Sequence, residues 1–349
     1  AWLGRGLAWF HLGKVQEALE NYAKAMELNP DDPLGPFLQG QALSHRDDHR
    51  AAIASYEKAL ALKLTYHEAW TKRGVALIEV DQYQEAIDSF DRAIGFKPDD
   101  AEAWNNRGEA LWYLHRYEEA LTNYDRAIVC NPNDDEAYYN QGLVLAKLER
   151  YEEAIKSYDK ALALKPNDHN IWHNRGLALF SLKQYEEAFQ NFDQAVKRKS
   201  DFHTAWCNRS HALFNFGKYK EALGSYNTAL NILSNVQTWR ARGDTLRELG
   251  RYEEAINSYD RGIRQNTDDV LSHSARGSVL EEVERYEEAE AAYRRALAIE
   301  ARGSDYSNLG DVLRKQGKYE EAIDSYKKAI RVQVDYATYE LVIYNQACC

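Results

Sequence analysis

The chain has 349 residues, 28% of them charged and only 6 of them Pro, with 55 Asp and Glu against 44 Lys and Arg for a net charge of −11. An acidic excess of this size argues against nucleic acid and anionic membrane as general partners, because both need a basic surface. No apolar run approaches the length that spans a bilayer, and nothing at the start has the basic-then-apolar layout of a secretion signal.

In chain order, the apolar residues predict ten helix pairs at a spacing of 34 residues: 1–32 (missing its first two positions), 33–66, 67–100, 101–134, 135–168, 169–202, 203–235, 236–269, 270–302 and 303–336. Residues 337–349 begin an eleventh unit or a capping helix. Because Ala1 falls at position 3 of a unit, the expectation is a fragment of a longer protein, with Trp2 and Trp9 on an unfinished end. The second unit is irregular: Pro36 stands where the aromatic should be, and Asp47-Asp48-His49 replaces the usual corner, so looser packing is expected over 33–50. The third, fourth and fifth units give the pattern in full. They read Trp70, Gly74, Leu77, Tyr83, Ala86, Phe90, Ala93, Pro98, then Trp104, Gly108, Leu111, Tyr117, Ala120, Tyr124, Ala127, Pro132, then Tyr138, Gly142, Leu145, Tyr151, Ala154, Tyr158, Ala161, Pro166. Small residues at Gly108 and Ala120 let two helices approach, Trp104 and Tyr124 fill the gap to the next pair, and Pro132 ends the second helix with Asp135 free to cap the next. One such unit cannot bury its own apolar face, so neighbours bury it for each other.

This pattern of an aromatic at position 4, a small residue at 8, Ala at 20, an aromatic at 24, Ala at 27 and Pro at 32 resembles the tetratricopeptide repeat (TPR) over essentially the whole chain. The resemblance implies an all-α, right-handed superhelical solenoid of about ten antiparallel helix pairs. It also implies a concave groove lined by positions 2, 5, 6, 9, 12 and 13 of the first helices. Position 6 there gives Asn106, Asn140, Asn174 and Asn208, preceded by Lys72. This row is similar to the asparagine ladder in the tetratricopeptide part of O-linked N-acetylglucosamine transferases. An Asn side chain matches the donor and acceptor of a peptide backbone whatever its side chains, so the row is expected to track an extended segment. The plain alternative is that these amides bond locally within the array.

Beside the ladder, Trp112, Tyr139, Leu143, Leu177, Phe180 and Phe214 are expected to form an apolar strip of anchors, with the main groove over residues 67–235. Position 5 adds Phe37, Asn105, His173 and Cys207 to that wall. Beyond residue 236 the columns turn polar, with Arg240, Arg247 and Arg314 as the candidate polar groove. The clamp that related repeats use for a C-terminal carboxylate is missing, since Asp244 faces Arg240 in the pattern and no Lys stands at position 2. Position 7 carries Arg73, Arg107, Arg175, Arg209, Arg242 and Arg276, read as a repeated bridge to a neighbouring helix.

The expected function is a protein- or peptide-binding scaffold, not an enzyme, with no cofactor. The alternative is the recognition or regulatory arm of a larger enzyme such as a glycosyltransferase, protease or kinase. Self-association through the ends, at Trp2, Trp9, Leu341, Val342 and Tyr344, is a third reading. No phosphate loop, nucleophile elbow or catalytic constellation is present. His169, His173, His203, Cys207 and His211 are the one set with metal-like spacing, but they lack the usual short ligand motifs. The four cysteines form no Cys-x-x-Cys, so a reducing, cytoplasmic setting is expected. Charge is uneven: residues 1–168 carry 19 Lys and Arg against 29 Asp and Glu, and residues 169–349 carry 25 against 26.

Overall fold

The computed structural model describes residues 1–332; residues 337–349, including Leu341, Val342, Tyr344, Cys348 and Cys349, lie outside the described residues. The chain divides into two compact units, residues 1–182 and residues 183 onward, and each is taken by itself. Every described element is helical, with no strand among the described residues. The first unit holds α1 (Trp2–His11), α2 (Val15–Leu28), α3 (Leu34–His45), α4 (His49–Leu62), α5 (His67–Ile78), α6 (Tyr83–Phe96), α7 (Ala101–Tyr113), α8 (Tyr117–Cys130), α9 (Asp135–Lys147), α10 (Tyr151–Leu164) and α11 (His169–Ser181). The second holds α12 (Tyr185–Arg198), α13 (His203–Asn215), α14 (Tyr219–Ile232), α15 (Val236–Glu248), α16 (Tyr252–Gln265), α17 (Val270–Glu282), α18 (Tyr286–Ile299) and α19 (Gly303–Lys315), and residues 319–332 are helical. Odd-numbered helices up to α11, and again α13 to α19, are the first helices of their pairs.

Local chemistry sets the ends. Asp100, Asp134 and Asp168 cap α7, α9 and α11 by accepting backbone N–H bonds, and Asn235 and Asp269 do so for α15 and α17. The cap of α9 is therefore Asp134, one residue before the expected Asp135, because the residue ahead of the helix has the extended backbone that points its carboxylate at the free N–H groups. The turn from first to second helix needs a left-handed residue. Gly supplies it at Gly13, Gly217, Gly250 and Gly317, but Asp47, Asp81, His115, Glu149, Lys183 and Glu284 adopt it with φ between 58° and 61°. Four of the second helices, α8, α10, α16 and α18, then open on an Arg whose guanidinium holds a Glu three residues on, as in Arg116 to Glu119 and Arg150 to Glu153, both at 2.7 Å. These pairs are exposed and screened by solvent, so they add little to stability.

Packing inside each pair turns on one contact. The aromatic ring of the second helix lies flat on the glycine of the first, as Tyr124 does on Gly108 and Tyr158 on Gly142. Tyr22, Tyr56, Phe90, Tyr124 and Tyr158 are all at most 2% exposed. Tyr124 therefore serves its own pair first, while also joining the cluster that includes Val144 of the next. The position-4 tryptophans lie toward the preceding unit: the indoles of Trp70, Trp104 and Trp172 donate to the carbonyls of Leu64, Pro98 and Pro166 at 2.8–2.9 Å.

The second pair overturns the expectation of loose packing over 33–50. Pro36 and Phe37 are buried along with Leu38, Gly40, Ala42 and Leu43. Phe37, at position 5, packs within its own pair, its ring centroid 4.8 Å from that of Tyr66 and 6.0 Å from that of Tyr56.

The position-7 arginines bridge two second helices at once. Arg107 donates to Asp91 on α6 at 2.7 Å and to the buried Asn123 on α8 at 3.1 Å. Arg73 links Glu57 on α4 to Ser89 on α6, and Gln141 takes the same place between Asp125 and Ser157. In the second unit Arg209 joins Asp193 to Ser225, and Arg242 joins Asn227 to Ser258.

Candidate binding faces of the first helices

The columns that face open space can be read from two cavities. In the first unit a cavity of about 660 Å³ is lined by Phe10, His11, Ser44, His45, Val75 and Glu79. These are positions 9, 12 and 13 of successive first helices, so those columns share one side. Arg73 at position 7 lines a different hollow with Glu57, Trp70 and Arg92, among the second helices. The two sides of the helix pairs are thereby told apart.

The asparagine column stands half-buried. Asn106, Asn140 and Asn174 are all of intermediate exposure on α7, α9 and α11. Asn140 donates its amide to Asn105 Oδ1 at 3.3 Å, and Asn174 donates to the Tyr139 hydroxyl at 2.8 Å and to the Asn170 carbonyl at 3.0 Å. Each amide is thus tied sideways to position 5 of the preceding unit, which is the local bonding of the plain alternative. What remains is specific: the Oδ1 atoms of Asn140 and Asn174 accept no bond among the described residues, and Asn106 has neither donor nor acceptor engaged. Asn208 has intermediate exposure on α13 in the second unit.

Three of the position-5 residues are interior, against the expectation that this column lines the groove, whereas Cys207 and Arg240 line a cavity in the second unit. Phe37, Asn105 and His173 are 5–8% exposed. Tyr139 is half-buried, its ring 6.2 Å from that of Tyr158, and burial pushes its phenol pKa up, so the hydroxyl stays neutral. Of the other anchors, Leu177 is 36% exposed, while Leu143 and Phe180 are intermediate. Trp112 is also intermediate, but its ring meets Tyr117 edge-on at 5.2 Å against the core, so part of its surface is already spent on packing. Tyr113 was expected on this face at position 13, whereas the carboxylates beside it were passed over. Tyr113 is 45% exposed and stacks on Tyr83 at 4.9 Å. Glu109 has its carboxyl pKa raised by burial and further by the charges of Glu136 and Glu79. Glu109 and Glu136 stand at positions 9 and 2, and both columns were available to a charge count.

In the second unit Phe214 meets Tyr219 edge-on at 5.2 Å and forms part of the wall of a cavity of about 530 Å³ between α13 and α15. The arginines assigned to a polar groove are all paired within the array: Arg240 with Asp269 at 3.3 Å, Arg247 with Glu282, and Arg314 with Asp311 at 3.5 Å. Cys207 Sγ lies 3.6 Å from His203 Nε2, which also receives the Asn235 amide at 3.3 Å. Burial raises the Cys207 thiol, so it is held protonated rather than activated. Among the described residues no group of three or more His, Cys, Asp and Glu side chains is arranged to hold a metal ion. At the start of the chain Trp2 is 37% exposed, whereas Trp9 is half-buried with the Lys14 ammonium 4.7 Å from its ring centroid. No described helix is long and apolar enough to cross a membrane.

Burial gives His173 a measurable role in acid. Desolvation, and then the neighbouring charge of His169, push its pKa down to about 4 from an ordinary 6.5. Between those values the unfolded chain binds a proton that the folded chain refuses, so stability is complete above about pH 6.5 and falls as pH drops toward 4. The loss attributable to this group is about 3 kcal/mol. Urea titrations at pH 7 and pH 4.5 are expected to show a smaller acid loss for His173→Leu than for the unaltered chain. An equal loss would mean that the imidazole is not the group that titrates.

Helix pairs locked by an aromatic on a glycine, capped and bridged in the same way pair after pair, define an all-α repeat protein. Family models of the tetratricopeptide repeat match residues 1–32, 37–66, 77–114, 105–169, 157–190, 203–232, 243–283 and 268–333. The chain belongs to the tetratricopeptide repeat family, whose members are generally non-catalytic protein-interaction scaffolds. Among solved structures, a tetratricopeptide repeat protein from Parabacteroides merdae is 17% identical at a TM-score of 0.51, over 71% of this chain and 99% of its own. The pilF protein of Pseudomonas aeruginosa is 18% identical at 0.52, over 58% and 93%. YrrB, described as a TPR protein with an unusual peptide-binding site, is 26% identical at 0.46, over 53% and 95%. The first two likenesses concern the fold alone. No curated protein matches.

Proposed function

We propose that this chain is a non-catalytic scaffold that holds an extended segment of a protein partner on the open face of its first helices. The observation that carries this reading is the state of Asn140 and Asn174. Their amide nitrogens are fixed to the array, which orients two carbonyl oxygens one repeat apart with no partner among the described residues. A row of fixed acceptors suits the N–H groups of an extended backbone, and pre-orientation lowers the entropy lost on binding. Leu143, Leu177 and Tyr139 supply apolar surface beside it. The crowding of Glu109, Glu136 and Glu79 favours a segment with Lys or Arg, and disfavours an acidic one. In the second unit Phe214 offers an apolar wall between α13 and α15.

Selection of a random peptide library on the intact protein supplies the ligand for the test. Asn106, Asn140 and Asn174 changed together to Ala are expected to weaken the selected peptides by on the order of tenfold to a hundredfold, since each neutral bond nets about 0.5–1.5 kcal/mol. Circular dichroism and melting should stay close to those of the unaltered chain. Affinity that survives the triple change would remove the ladder from the binding surface.

A further inference from the structure

The cavity between α13 and α15 has chemistry that the asparagine row does not use. Its walls include Phe214, Ala241, His211, Arg240 and Asp244. Asp244 is half-buried, and its Oδ1 accepts a 2.7 Å bond from the hydroxyl of the fully buried Tyr259, which fixes the carboxylate in place. It makes no ion pair among the described residues. The two guanidiniums whose charge reaches it are hydrogen-bonded elsewhere, Arg240 to both oxygens of Asp269 and Arg247 to Glu282. Of the imidazoles, His203 is held by Asn235 and His211 lies edge-on to Tyr226 at 5.6 Å. The cavity thus presents one carboxylate with no direct ion pair among the described residues, pre-set by a hydrogen bond and felt only at longer range by Arg240 and Arg247, beside an aromatic and aliphatic wall.

A carboxylate half out of water is ordinarily paired, because desolvation penalises an unmatched charge. Burial raises the Asp244 carboxyl despite the opposing pull of the Tyr259 hydroxyl, Arg240 and Arg247, and a positive guest in contact with it would favour the ionised form. An anion would meet this charge directly, and the one cation in the wall is already neutralised by Asp269. We propose that the cavity receives the basic side chain of a partner segment, Lys or Arg, with its cationic head against Asp244 and its methylenes against Phe214 and Ala241. Side chains of this type divide naturally between the two kinds of wall. The inference deepens the scaffold reading above and rests on it for the origin of the guest.

The test uses the full chain and two probes that differ in charge but hardly in shape, N-acetylarginine amide and N-acetylcitrulline amide. Binding is followed through the backbone amide shifts of Gln237 and Ala241. The arginine probe is expected to bind at least about tenfold more tightly than the citrulline probe, the scale of a charge-assisted hydrogen bond. Asp244→Asn keeps an acceptor for the Tyr259 hydroxyl and is expected to abolish that preference. Should that variant fail to fold, the unaltered chain still decides: the preference must shrink when salt is raised from about 50 mM to about 500 mM. Equal binding of the two probes, or a preference that persists in Asp244→Asn or at high salt, overturns the assignment. The probes carry a single side chain and do not report on the asparagine row, so failure here and failure of the ladder test are separate results.

Discussion

Gly142→Val is expected to destabilise the helix pair of α9 and α10 by about 3 kcal/mol or more. A Cβ at Gly142 would lie 2.5 Å from Cε1, 2.7 Å from Cδ1 and 2.9 Å from Cζ of Tyr158, closer than unbonded carbons approach. The ring has nowhere to go: Tyr158 is 0% exposed, in a cluster with Leu145, Ala154, Ala161 and Leu162. Helix propensity pulls the other way, since replacing glycine in a helix interior by alanine gains about 1 kcal/mol. Overpacking a closed core costs about 1–3 kcal/mol for a methylene or two, and the branched Val adds to that and loses rotamer freedom. Sterics therefore outweigh propensity. Tyr158→Leu alone should cost about 2–3 kcal/mol as a large-to-small core change. The double variant should cost less than the sum by at least about 1 kcal/mol, because Leu vacates the space that Val needs. Repeat arrays need not unfold in one step, so hydrogen exchange of the α9 and α10 amides is the measurement of choice. Strict additivity would show that the ring is not the obstacle.

The same contact explains how much of the structure was readable in the sequence. Gly142 and Tyr158 lie 16 residues apart, and their recurrence as Gly108 and Tyr124 or Gly74 and Phe90 encodes a helix hairpin in side-chain volume alone. Periodic volume is visible in one dimension, so the pairs, their register and the bridging role of the position-7 arginines could all be anticipated. The second pair is tight despite lacking the position-4 aromatic, because Pro36 is itself buried and Phe37 joins Leu38 and Leu43 in the core, which a one-dimensional pattern does not reveal. The left-handed corners were also missed, since six are made by Asp, His, Glu and Lys without the Gly that usually signals them. The candidate binding face was only half legible. Columns 9, 12 and 13 line one cavity in the first unit, as their spacing implies, but column 5 turned inward to bond the asparagines of the following unit. Which side chain of two neighbours on a helix faces out is set by a rotation of a few tens of degrees, and periodicity does not resolve that angle.

Alanine at Tyr139, Leu143 and Leu177 together is expected to weaken a library-selected peptide more than alanine at the three asparagines, by about a thousandfold. Neutral hydrogen bonds largely exchange one partner for another and net little, whereas apolar side chains buried at the centre of an interface reach about 2 kcal/mol each. Leu177 is 36% exposed and so has most to gain from being covered. Trp112 is a poorer choice than its size suggests: its edge-on contact with Tyr117 means that truncation would damage the core as well as the face. Tyr139 needs its own control for the same reason, because its hydroxyl holds the Asn174 amide at 2.8 Å. Tyr139→Phe keeps the ring and removes only that tie, and should cost roughly fivefold to tenfold by loosening Asn174, with no change in melting. Isothermal titration of one peptide against all three variants ranks the terms. An apolar triple variant that binds as tightly as the intact chain would mean that the partner lies elsewhere, and that the face of α7, α9 and α11 serves only to hold the repeats together.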